Sequence, residues 1–519
     1  MIVPQGTINT AALVVPDLYV QIVAPQNLLI NGSPSNIVGV VGTAAWGPVN
    51  QATVIPDMPT YVRTFSSPVA RTWDMGTHVA TAIQQGANNF RCVRVTDGTD
   101  TAASSTGVAT CITFAAKYTG SGGNNLTVQI TTGSKSGTWK AIVGVPGGQP
   151  EGYDNISGTG NAFWLALAAA INSGNSVLRG PSQLIIATAG IGSTAAAAGT
   201  YTFSGGTDGV ASFTTVNLIG ADVYPRSGIY ALRSQSCSMM LAADCYDSSK
   251  WTTIDGLAAQ EGIYAIQTGP SGDTITNAIT TKQTAGLDSW SSKMMFGDWI
   301  LWNDPFLGLQ RYVSPQGFIA GRLANLSPQM SSLNNTIYGV VGSQRSNSTA
   351  ATYSSAELTL LEQSGIDLIA NPGAGGIFIW TARIGHNSSS NAAVNGDNYT
   401  RLTNFIATSL NNGMGPYIGD PINLQMARGV AATLNSFFLN MLGQGMLGID
   451  VDDGGLPFSV VCNLGPGTNN PPSRTKLGYF QADVSVQYMA INEKFIINIQ
   501  GGQTVTVTRQ TTQAGQVTA

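Results

Sequence analysis

Charged side chains are scarce in this chain of 519 residues: Asp, Glu, Lys and Arg together make up 10% of it, against about 25% in an average soluble protein. Its surface must therefore consist mainly of Ser, Thr, Asn, Gln, Gly and Ala. Because a monomer of this size depends on charge for solubility, the composition suggests that much of the surface is covered in an assembly. A secreted or thermally tolerant β-rich protein is the alternative that composition leaves open.

Positive charge is neither abundant nor clustered. The formal net charge is −4 and no run of Lys or Arg occurs, which argues against a nucleic acid as the principal partner. No window approaches the roughly 18 apolar residues of a membrane span, so we expect no direct membrane insertion. The first residues, MIVPQGTINT, lack the basic and apolar regions of a signal peptide.

Residues for metal or nucleophilic chemistry are few. The five cysteines are an odd number without ligand spacing, which fits free thiols in a reducing cytoplasm better than a zinc site or a disulfide framework. The two histidines, His78 and His386, lie in no HExxH motif. Asp74 precedes His78 by one helical turn, and we expect the two to form a surface pair. The sequence therefore predicts no catalytic residues.

Glycine-rich and acidic stretches do not change this view. No GxSxG, GxxxxGK[ST] or GxGxxG motif precedes a helix in the required setting. Asp450, Asp452 and Asp453 stand before a Gly-Gly pair but lack the spaced ligands and closing Glu of a calcium loop, so we expect a solvated turn. Residues 205–209 predict a tight turn. We expect no metal and no cofactor, and we expect that the chain is not an enzyme.

The length predicts two to four domains. Residues 37–41 form a continuous apolar run, typical of a parallel strand buried on both faces, and a helix over 73–85 and a strand over 89–95 follow. Between 101 and 205 the pattern changes to short strands punctuated by glycine, with a helix at 163–171, which predicts an inserted β-rich domain. The α/β pattern then returns, with buried strands predicted at 216–220, 238–242, 263–267, 299–302, 338–342 and 376–380.

Two amphipathic helices are predicted between 398 and 442 from apolar residues at helical spacing. Arg401 and Arg428 fall outside the apolar sets, so we expect both to point outward. An alternative is that they pair with Asp397 or Asp420. A sheet follows the helices, with alternation at 484–488.

Each end of the chain carries an extended segment that stands apart from the domains. At the C-terminus, Val505 and Val507 alternate with threonines after the break at Gly501 and Gly502. At the N-terminus, residues 18–23 lie between two prolines that favour extended geometry. The apolar residues of this second segment are Leu18, Tyr19, Val20 and Ile22. A lone strand is not stable in water, so each either folds onto its own domain or joins the sheet edge of a neighbouring chain.

In addition, the chain resembles the tail sheath proteins of contractile injection machines, above all those of contractile-tailed bacteriophages. The matching segments keep their order over most of the chain. The usual basic pair of the last domain is reduced here to the single Arg383. The segments that carry the resemblance are 37–48 (IVGVVGTAAWGP), 116–130 (AKYTGSGGNNLTVQI), 203–209 (FSGGTDG), 221–232 (ADVYPRSGIYAL), 313–325 (VSPQGFIAGRLAN), 357–369 (ELTLLEQSGIDLI) and 380–383 (WTAR).

The resemblance implies a multidomain α/β plus β protein with a non-catalytic, subtilisin-like central domain, an inserted β-sandwich and an α+β C-terminal domain. It implies that the terminal arms complete sheets in neighbouring subunits, weaving rings of six into a helical sheath. The implied partners are a tail tube protein, a baseplate and a tail terminator, in a virion tail assembled in the host cytoplasm. Contraction would drive the tube through the host envelope.

The expected division of the chain has six parts. Gly501 and Gly502 are the expected hinge of the C-terminal arm, and Arg401 and Arg428 are the expected contacts with the tube. The rival functions are the sheath of a related cell-borne injection device and an α/β hydrolytic enzyme with a β-domain insertion. The parts are an N-terminal arm (1–25), the start of an α/β core (26–100), the inserted β-rich domain (101–205), the subtilisin-like α/β domain (206–371), the C-terminal α+β domain (372–500) and a C-terminal arm (501–519).

Overall fold

The computed structural model describes residues 30–146, 148–177, 179–349, 352–371, 380–390, 395–448 and 455–493, together with the backbone of two short strands at 2–3 and 20–21. The mixed α/β class with several separate sheets, expected from the sequence, is confirmed. The predicted strand at 376–380 falls mostly outside the described residues, as does the acidic turn at 450–453.

The strands of the described residues are numbered β1 to β23 along the chain. They are β1 (Ile2–Val3), β2 (Val20–Gln21), β3 (Val38–Gly42), β4 (Thr53–Ile55), β5 (Phe90–Arg94), β6 (Ala102–Val108), β7 (Ile112–Thr119), β8 (Thr127–Thr132), β9 (Trp139–Gly144), β10 (Glu151–Ile156), β11 (Ile185–Ala189), β12 (Gly199–Thr202), β13 (Met239–Ala242), β14 (Tyr264–Thr268), β15 (Ser292–Met295), β16 (Ile300–Asp304), β17 (Leu309–Val313), β18 (Val340–Ser343), β19 (Ile366–Asp367), β20 (Ile369–Ala370), β21 (Thr381–Ala382), β22 (Phe458–Val461) and β23 (Asp483–Val486).

The α-helices of the described residues are numbered α1 to α12 along the chain. They are α1 (Met58–Phe65), α2 (Met75–Gln84), α3 (Asn161–Ser173), α4 (Thr215–Ile219), α5 (Ser248–Glu261), α6 (Ile275–Ala285), α7 (Gln316–Ala324), α8 (Gln344–Thr349), α9 (Ser355–Gln363), α10 (Asp397–Gly413), α11 (Leu424–Gly443) and α12 (Pro472–Thr475).

A seven-stranded sheet forms the centre of the α/β body, in the order β19-β15-β14-β13-β3-β5-β4. All neighbouring strands are parallel except β4, which is antiparallel to β5. The apolar run at 37–41 becomes the central strand β3, buried along its whole length. Helices cover both faces: α1, α2 and α7 pack on one, and α4 and α5 on the other. This two-sided cover explains why its strands read as continuous apolar runs.

One predicted strand is wrong. Residues 216–220 are apolar and short, as a buried strand would be, but the segment forms helix α4. Thr214 begins the helix with a capping box: its side chain accepts from the backbone of Asn217, whose side chain accepts in turn from the backbone of Thr214. The cap supplies the hydrogen bonds that a strand would need from a neighbour, and α4 still buries Leu218 and Ile219.

Helix α7 lies unusually close to α2. Gly317 and Gly321, one turn apart on α7, face α2, and a Cβ at either position would collide with Thr81 or Ala82. The missing side chains let the two backbones approach, as small residues do wherever helices pack tightly. This approach brings the beginning of α7 to the carboxyl ends of the central strands.

The segment between β5 and β13 builds two further sheets, β11-β7-β6 and β10-β9-β8-β12, which enclose a core with α3. It is fastened to the α/β body by polar contacts. Arg94, at the end of β5, is fully buried and donates to the carbonyls of Thr119 (2.7 Å) and Gly47 (2.8 Å). Asp208, in the turn predicted at 205–209, pairs with Arg71 at 2.5 Å. The inserted β-rich segment is thus held by charged groups at its root.

The C-terminal body consists of α10, α11 and the two-stranded sheet β22–β23, around a core that includes Phe437 and Phe438. The two predicted amphipathic helices are confirmed. Ile30, the first residue whose side chain is described, packs in the same core. At the other end, a Glu493 carboxylate oxygen lies 3.5 Å from the His386 ring nitrogen Nε2, beside the segment that leads into α10.

A buried ion cluster joins the C-terminal body to the central sheet. Lys293 on β15 lies 2.8 Å from Asp367 on β19 and 3.3 Å from Asp397 at the start of α10, and all three side chains are completely buried. Burial alone lowers the pKa of an ammonium group, but the two carboxylates outweigh it and raise the pKa of Lys293. Burial raises the pKa of Asp367, and Lys293 opposes that shift. The cluster therefore has one cation for two carboxylates.

We predict that Lys293→Met lowers the free energy of unfolding by about 3–5 kcal/mol, because it leaves two buried carboxylates without their cation. The measurement is the thermal unfolding midpoint, with limited proteolysis between the α/β and C-terminal bodies. Lys135→Met, at an exposed position, is the matched control and should change stability by less than about 0.5 kcal/mol. A loss below about 1 kcal/mol for Lys293→Met would show that the cluster does not hold the joint.

Asp74 gives a pH-dependent prediction. It caps α2, accepting from the backbone N–H of Thr77 at 2.8 Å, and burial raises its pKa to about 6, above about 3.9 in an unfolded chain. A carboxyl with a raised folded pKa binds its proton more tightly in the folded state, so its contribution to stability falls as pH rises from about 4 to about 6.

Asp74→Asn keeps a capping oxygen but cannot ionise. We expect the stability of the wild type relative to Asp74→Asn to be lower at pH 7.5 than at pH 4 by on the order of 2 kcal/mol. Thermal midpoints of both proteins at the two pH values measure this difference. An equal difference at both pH values would contradict the buried, proton-binding state of Asp74.

Candidate functional site

The sheet of the C-terminal body is short and open. Strands β22 and β23 are antiparallel, with Phe458 opposite Val486 and Val461 opposite Asp483. In the part of the chain that the structure describes, neither strand has a second neighbour. Within those residues each strand therefore has one edge without a paired strand, although the Val461 carbonyl already accepts from the Asn469 side chain, and such an edge can accept another strand.

An apolar groove runs beside β23. Its volume is about 850 Å³, and it lies between β23, the end of α10 and the first half of α11. Ile418, at its mouth, is 87% exposed. Only Asp420 and Lys476 bring charge to it. The apolar and aromatic residues that line it are Leu410, Met414, Tyr417, Ile418, Ile422, Met426, Val430, Leu434, Phe480 and Val484.

An exposed apolar groove of this kind marks a place where another surface is accommodated. The inner side chains of β23, such as Val484, form one wall of it. A strand added to β23 would continue the sheet over the groove, and its alternate side chains would point into it. The geometry can therefore accept an extended segment with apolar residues at every second position.

The residues predicted for the strand arms lie mostly outside the described part of the chain. This applies to Leu18, Tyr19 and Ile22, to Val505 and Val507, and to the hinge residues Gly501 and Gly502. Val20 is described by its backbone: it lies in β2, which pairs in parallel with β1, Val20 opposite Ile2.

The expectation that Arg401 points outward is wrong. Its side chain lies inside the C-terminal body and the residue is 5% exposed. The guanidinium donates to four carbonyls at the end of α7 and in the segment after it, and burial lowers its pKa to about 10. Among the described residues no ion pair joins Arg401 to Asp397, whose partner is Lys293. The four carbonyls are those of Leu323 (2.6 Å), Leu326 (2.7 Å), Met330 (3.2 Å) and Ser327 (3.4 Å).

An arginine that satisfies several carbonyls ties two segments together and offers no charge to a partner. Arg401 fixes α10 to the turn that follows α7. Arg428, by contrast, is exposed on α11. It is the single charged residue of that helix, so the outer face of α11 is nearly neutral with one positive point.

The expected surface pair of Asp74 and His78 is also wrong, because both residues are about 1% exposed. The His78 ring nitrogen Nε2 lies 3.0 Å from Asp244, just after β13, instead of contacting Asp74. Burial alone would raise the pKa of Asp244, but His78 and hydrogen bonds from neighbouring groups outweigh it, and the pKa is lowered.

His78 and Asp244 lie at a position of interest for any enzyme. The chain passes from β3 to β5 on one side and from β13 to β14 on the other, and ligands of open α/β sheets bind at the carboxyl ends of strands where the order reverses. Here Gln316, the first residue of α7, fills that point. It is buried, donates to the carbonyls of Ala242 (3.2 Å) and Ile266 (2.8 Å), and accepts from the backbone of Asp244 (2.9 Å).

Other chemistry finds little support within the described residues. No group of three or more His, Cys, Asp or Glu side chains is placed to hold a metal ion there. The five cysteines are free and buried, which confirms the expectation of free thiols. Over those same parts of the chain, no helix is both long and apolar enough to cross a bilayer.

The groove is not predictable from helical spacing alone. Met426, Val430 and Leu434 form the apolar stripe of α11, which predicts a face packed in the core but does not predict that part of this face stays uncovered. The number of strands is the available signal, because a sheet of two strands cannot cover two amphipathic helices.

The chain matches no protein-family model, and by sequence it matches none of the curated proteins. Solved structures do resemble it. The sheath tail protein of Listeria innocua superposes with a TM-score of 0.59 and 12% identity, over 84% of this chain and 90% of that one.

Two assembled particles give similar agreement. The PVC sheath complex of an extracellular contractile injection system, in its contracted state, has a TM-score of 0.53 and 13% identity, over 95% of this chain and 99% of that one. The helical sheath of the anti-feeding prophage, also contracted, has a TM-score of 0.54 and 11% identity, over 95% and 100%. The chain thus has the fold of contractile tail sheath proteins, as its ordered motifs indicated.

Proposed function

We propose that this chain is a structural subunit of a contractile tail sheath. Its copies stack as rings of six around a tail tube, in an extended and metastable arrangement. A baseplate triggers rotation and sliding of rigid domains into a contracted arrangement that buries more surface. The released energy drives the tube through the envelope of a target cell. A tail terminator closes the far end of the sheath.

The observation that carries the proposal is the edge of β23 beside the apolar groove, in the body whose core also holds Ile30. An arm strand from a neighbouring copy supplies what the groove lacks. In the C-terminal arm, Val505 and Val507 stand two residues apart, so both point to the same face of a strand. With that face towards the groove, the threonines between them remain on the solvent side. The N-terminal segment around Val20 offers a second such strand.

Such a contact is strong enough to join subunits. Each main-chain hydrogen bond contributes roughly 0.5–1.5 kcal/mol net, and each buried valine side chain about 1.5–3 kcal/mol. The two valines of the C-terminal arm and roughly three or four such hydrogen bonds are therefore of the same size as the entropy lost on ordering a short strand, about 1–2 kcal/mol per residue, and each subunit has two arms. Hydrogen bonds between main chains do not depend on the side chains of the surfaces around them, so they can persist when those surfaces move. Gly501 and Gly502 permit the arm to bend. The linkage can therefore persist through contraction.

We infer further that the α/β body is a subtilisin-like domain without protease activity, and that the chain is not an enzyme. The doubly covered parallel sheet supports the first inference. The second is supported by the burial of His78 and by Gln316, which occupies the point where a substrate would bind. A hydrolytic enzyme would need that point open to solvent.

For the tube contact, the structure favours Arg428 over Arg401. Arg428 is exposed on a helix whose outer face is otherwise uncharged. The guanidinium of Arg401, by contrast, is buried and hydrogen-bonded to backbone carbonyls. A tube surface with a carboxylate opposite each Arg428 would match this face. The contact is single and exposed, so it contributes about 0.2–1 kcal/mol per subunit and can be released as the sheath moves.

A phage virion, assembled in the host cytoplasm, is the setting we propose. A cell-borne device remains the second candidate, favoured by the similarity to the sheath of an extracellular contractile injection system. The two settings share every feature of the subunit, and the identity of the tube partner separates them.

We predict that the intact chain forms hollow striated cylinders in negative-stain microscopy. A version without residues 503–519 should form none, or much shorter ones, because the arm strand is lost. Monodisperse particles from both proteins would overturn the sheath proposal. Cylinders of equal length from both would overturn the role of the C-terminal arm.

A matched pair of variants tests the register of that arm. Val505→Ser with Val507→Ser removes the side chains that we place in the groove, and should shorten the cylinders as truncation does. Thr504→Ser with Thr506→Ser changes the opposite face of the same strand and should leave their length unchanged. The reverse result would contradict the proposed facing.

We predict that Arg428→Glu leaves sheath polymerisation intact but weakens co-sedimentation with the tube by up to about fivefold per contact, the equivalent of about 1 kcal/mol. The effect should shrink at high salt. Arg63→Glu, also at an exposed position but on α1, is the control and should co-sediment like the wild type. Unchanged tube binding by Arg428→Glu would remove α11 from the inner face.

A further inference from the structure

A rigid apolar knob projects from the α/β body. It is the loop 221–227, between α4 and the turn that begins at Gly228, and at its tip Val223 is 72% exposed and Tyr224 is 93% exposed. The loop is closed at its base, since Ser227 N–H donates to the Ala221 carbonyl (3.1 Å) and the Ser227 hydroxyl accepts from the Ala221 N–H (2.9 Å). A closed loop loses little entropy when its tip is bound.

The charges around the knob are already paired with one another. Asp222 accepts from Arg226 at 2.8 Å and from Arg233 at 3.0 Å, and Arg233 reaches Glu261 at 2.6 Å. This network stiffens the base of the loop and leaves two cations opposite two carboxylates. The surface that receives the knob therefore needs no net charge.

A cavity of about 330 Å³ lies between the α/β body and α10. Its lining mixes apolar residues such as Leu232, Ile263 and Phe405 with hydroxyl and amide groups, and it includes one cation, Arg401, and one carboxylate, Glu261. Its size is at the lower end for a ligand site, suited to one aromatic side chain.

The backbone at the rim of this cavity is held in an uncommon conformation. Ser234 and Ser236, both lining the cavity, have positive φ angles of 60° and 55°. Non-glycine residues in this conformation are costly and cluster at binding sites.

We propose that Tyr224 of one copy of this chain inserts into this cavity of a second copy, a contact that rests on the sheath proposal. A tyrosine presents an apolar ring and one hydroxyl, which suits a lining that is partly apolar and partly polar. Within its own chain Tyr224 is nearly fully exposed and does not occupy the cavity. Knob and cavity are different but neighbouring surfaces, joined through Arg233 and Glu261, and a contact between different surfaces repeats from copy to copy as a helical assembly requires.

The test places a photo-crosslinking benzoylphenylalanine at position 224 in assembled cylinders made from mixed ¹⁵N-labelled and unlabelled chains. Mass spectrometry should find crosslinks between different copies, in peptides that contain residues 232–238, 261–263 or 401–412. The same group at Val177, an exposed position of the inserted β-rich segment, is the control and should not crosslink there.

Cylinders that crosslink elsewhere, only within one chain or not at all would overturn this contact and leave the sheath proposal standing. No cylinders from the unmodified chain would overturn the sheath proposal, and this contact with it. The two failures are therefore distinguishable.

Two substitutions give an independent reading. Tyr224→Ser and Asn411→Trp, the second blocking the cavity, should each raise the protein concentration needed for cylinders at least fivefold. Because both break one contact, the double variant should be no worse than the more affected single variant. Each should keep the wild-type thermal midpoint, since both positions are exposed. Independent effects that multiply in the double variant would contradict the pairing.

Discussion

Buried charge at the joints between bodies is the constraint on which the arrangement of this molecule depends. Lys293, Asp367 and Asp397 meet between the central sheet and α10, and Arg401 adds four carbonyl bonds one turn further along. Arg94 does the same work at the root of the inserted β-rich segment. Charged groups held away from water tolerate little displacement, because a separated pair leaves an uncompensated ion. These joints therefore favour bodies that move together.

This placement gives a second meaning to the low charge content. The chain has 50 Asp, Glu, Lys and Arg residues in 519, and several of them are inside. Its outer surface is therefore poor in charge, and covering a polar group costs less solvation free energy than covering a charged one. In the proposed sheath, rigid joints would keep each subunit intact, and weakly charged outer faces would let neighbouring subunits change contacts.

Much of the fold could be predicted from the sequence because local pattern and burial agree. The continuous apolar run of β3 reflects a strand that is buried on both faces. The apolar stripes of α10 and α11 reflect helices that are buried on one face. The failures have two different causes. Residues 216–220 are as apolar as a strand, and the local signal for a helix, Thr214 followed three residues later by Asn217, is weaker than the apolar run. Arg401 fails because distant residues decide its position. The four carbonyls that accept hydrogen bonds from Arg401 lie more than 70 residues earlier in the chain, and no rule of sequence spacing predicts them.

The candidate site was predictable in part for the same reason. Alternation predicts strands in the two arms, because alternation is a local property, and that prediction falls mostly outside the described residues. The edge of β23 and its groove depend on how many strands the C-terminal body has, which is a property of the whole body. His78 is an example of a residue whose partner the sequence did not predict. It lies one helical turn from Asp74, but its partner is Asp244, which the pairing of β13 with β3 brings close to it.

The packing of Ile30 has a mechanical consequence. Because this residue packs in the core shared by α10 and α11, a pull on the segment before it would be delivered straight into the C-terminal body, through the packed side chains around Phe437 and Phe438. The buried charged joints would make the large α/β body and the inserted β-rich segment follow as rigid extensions of this small body. A small rotation at the C-terminal body would therefore become a longer displacement at the far end of the subunit.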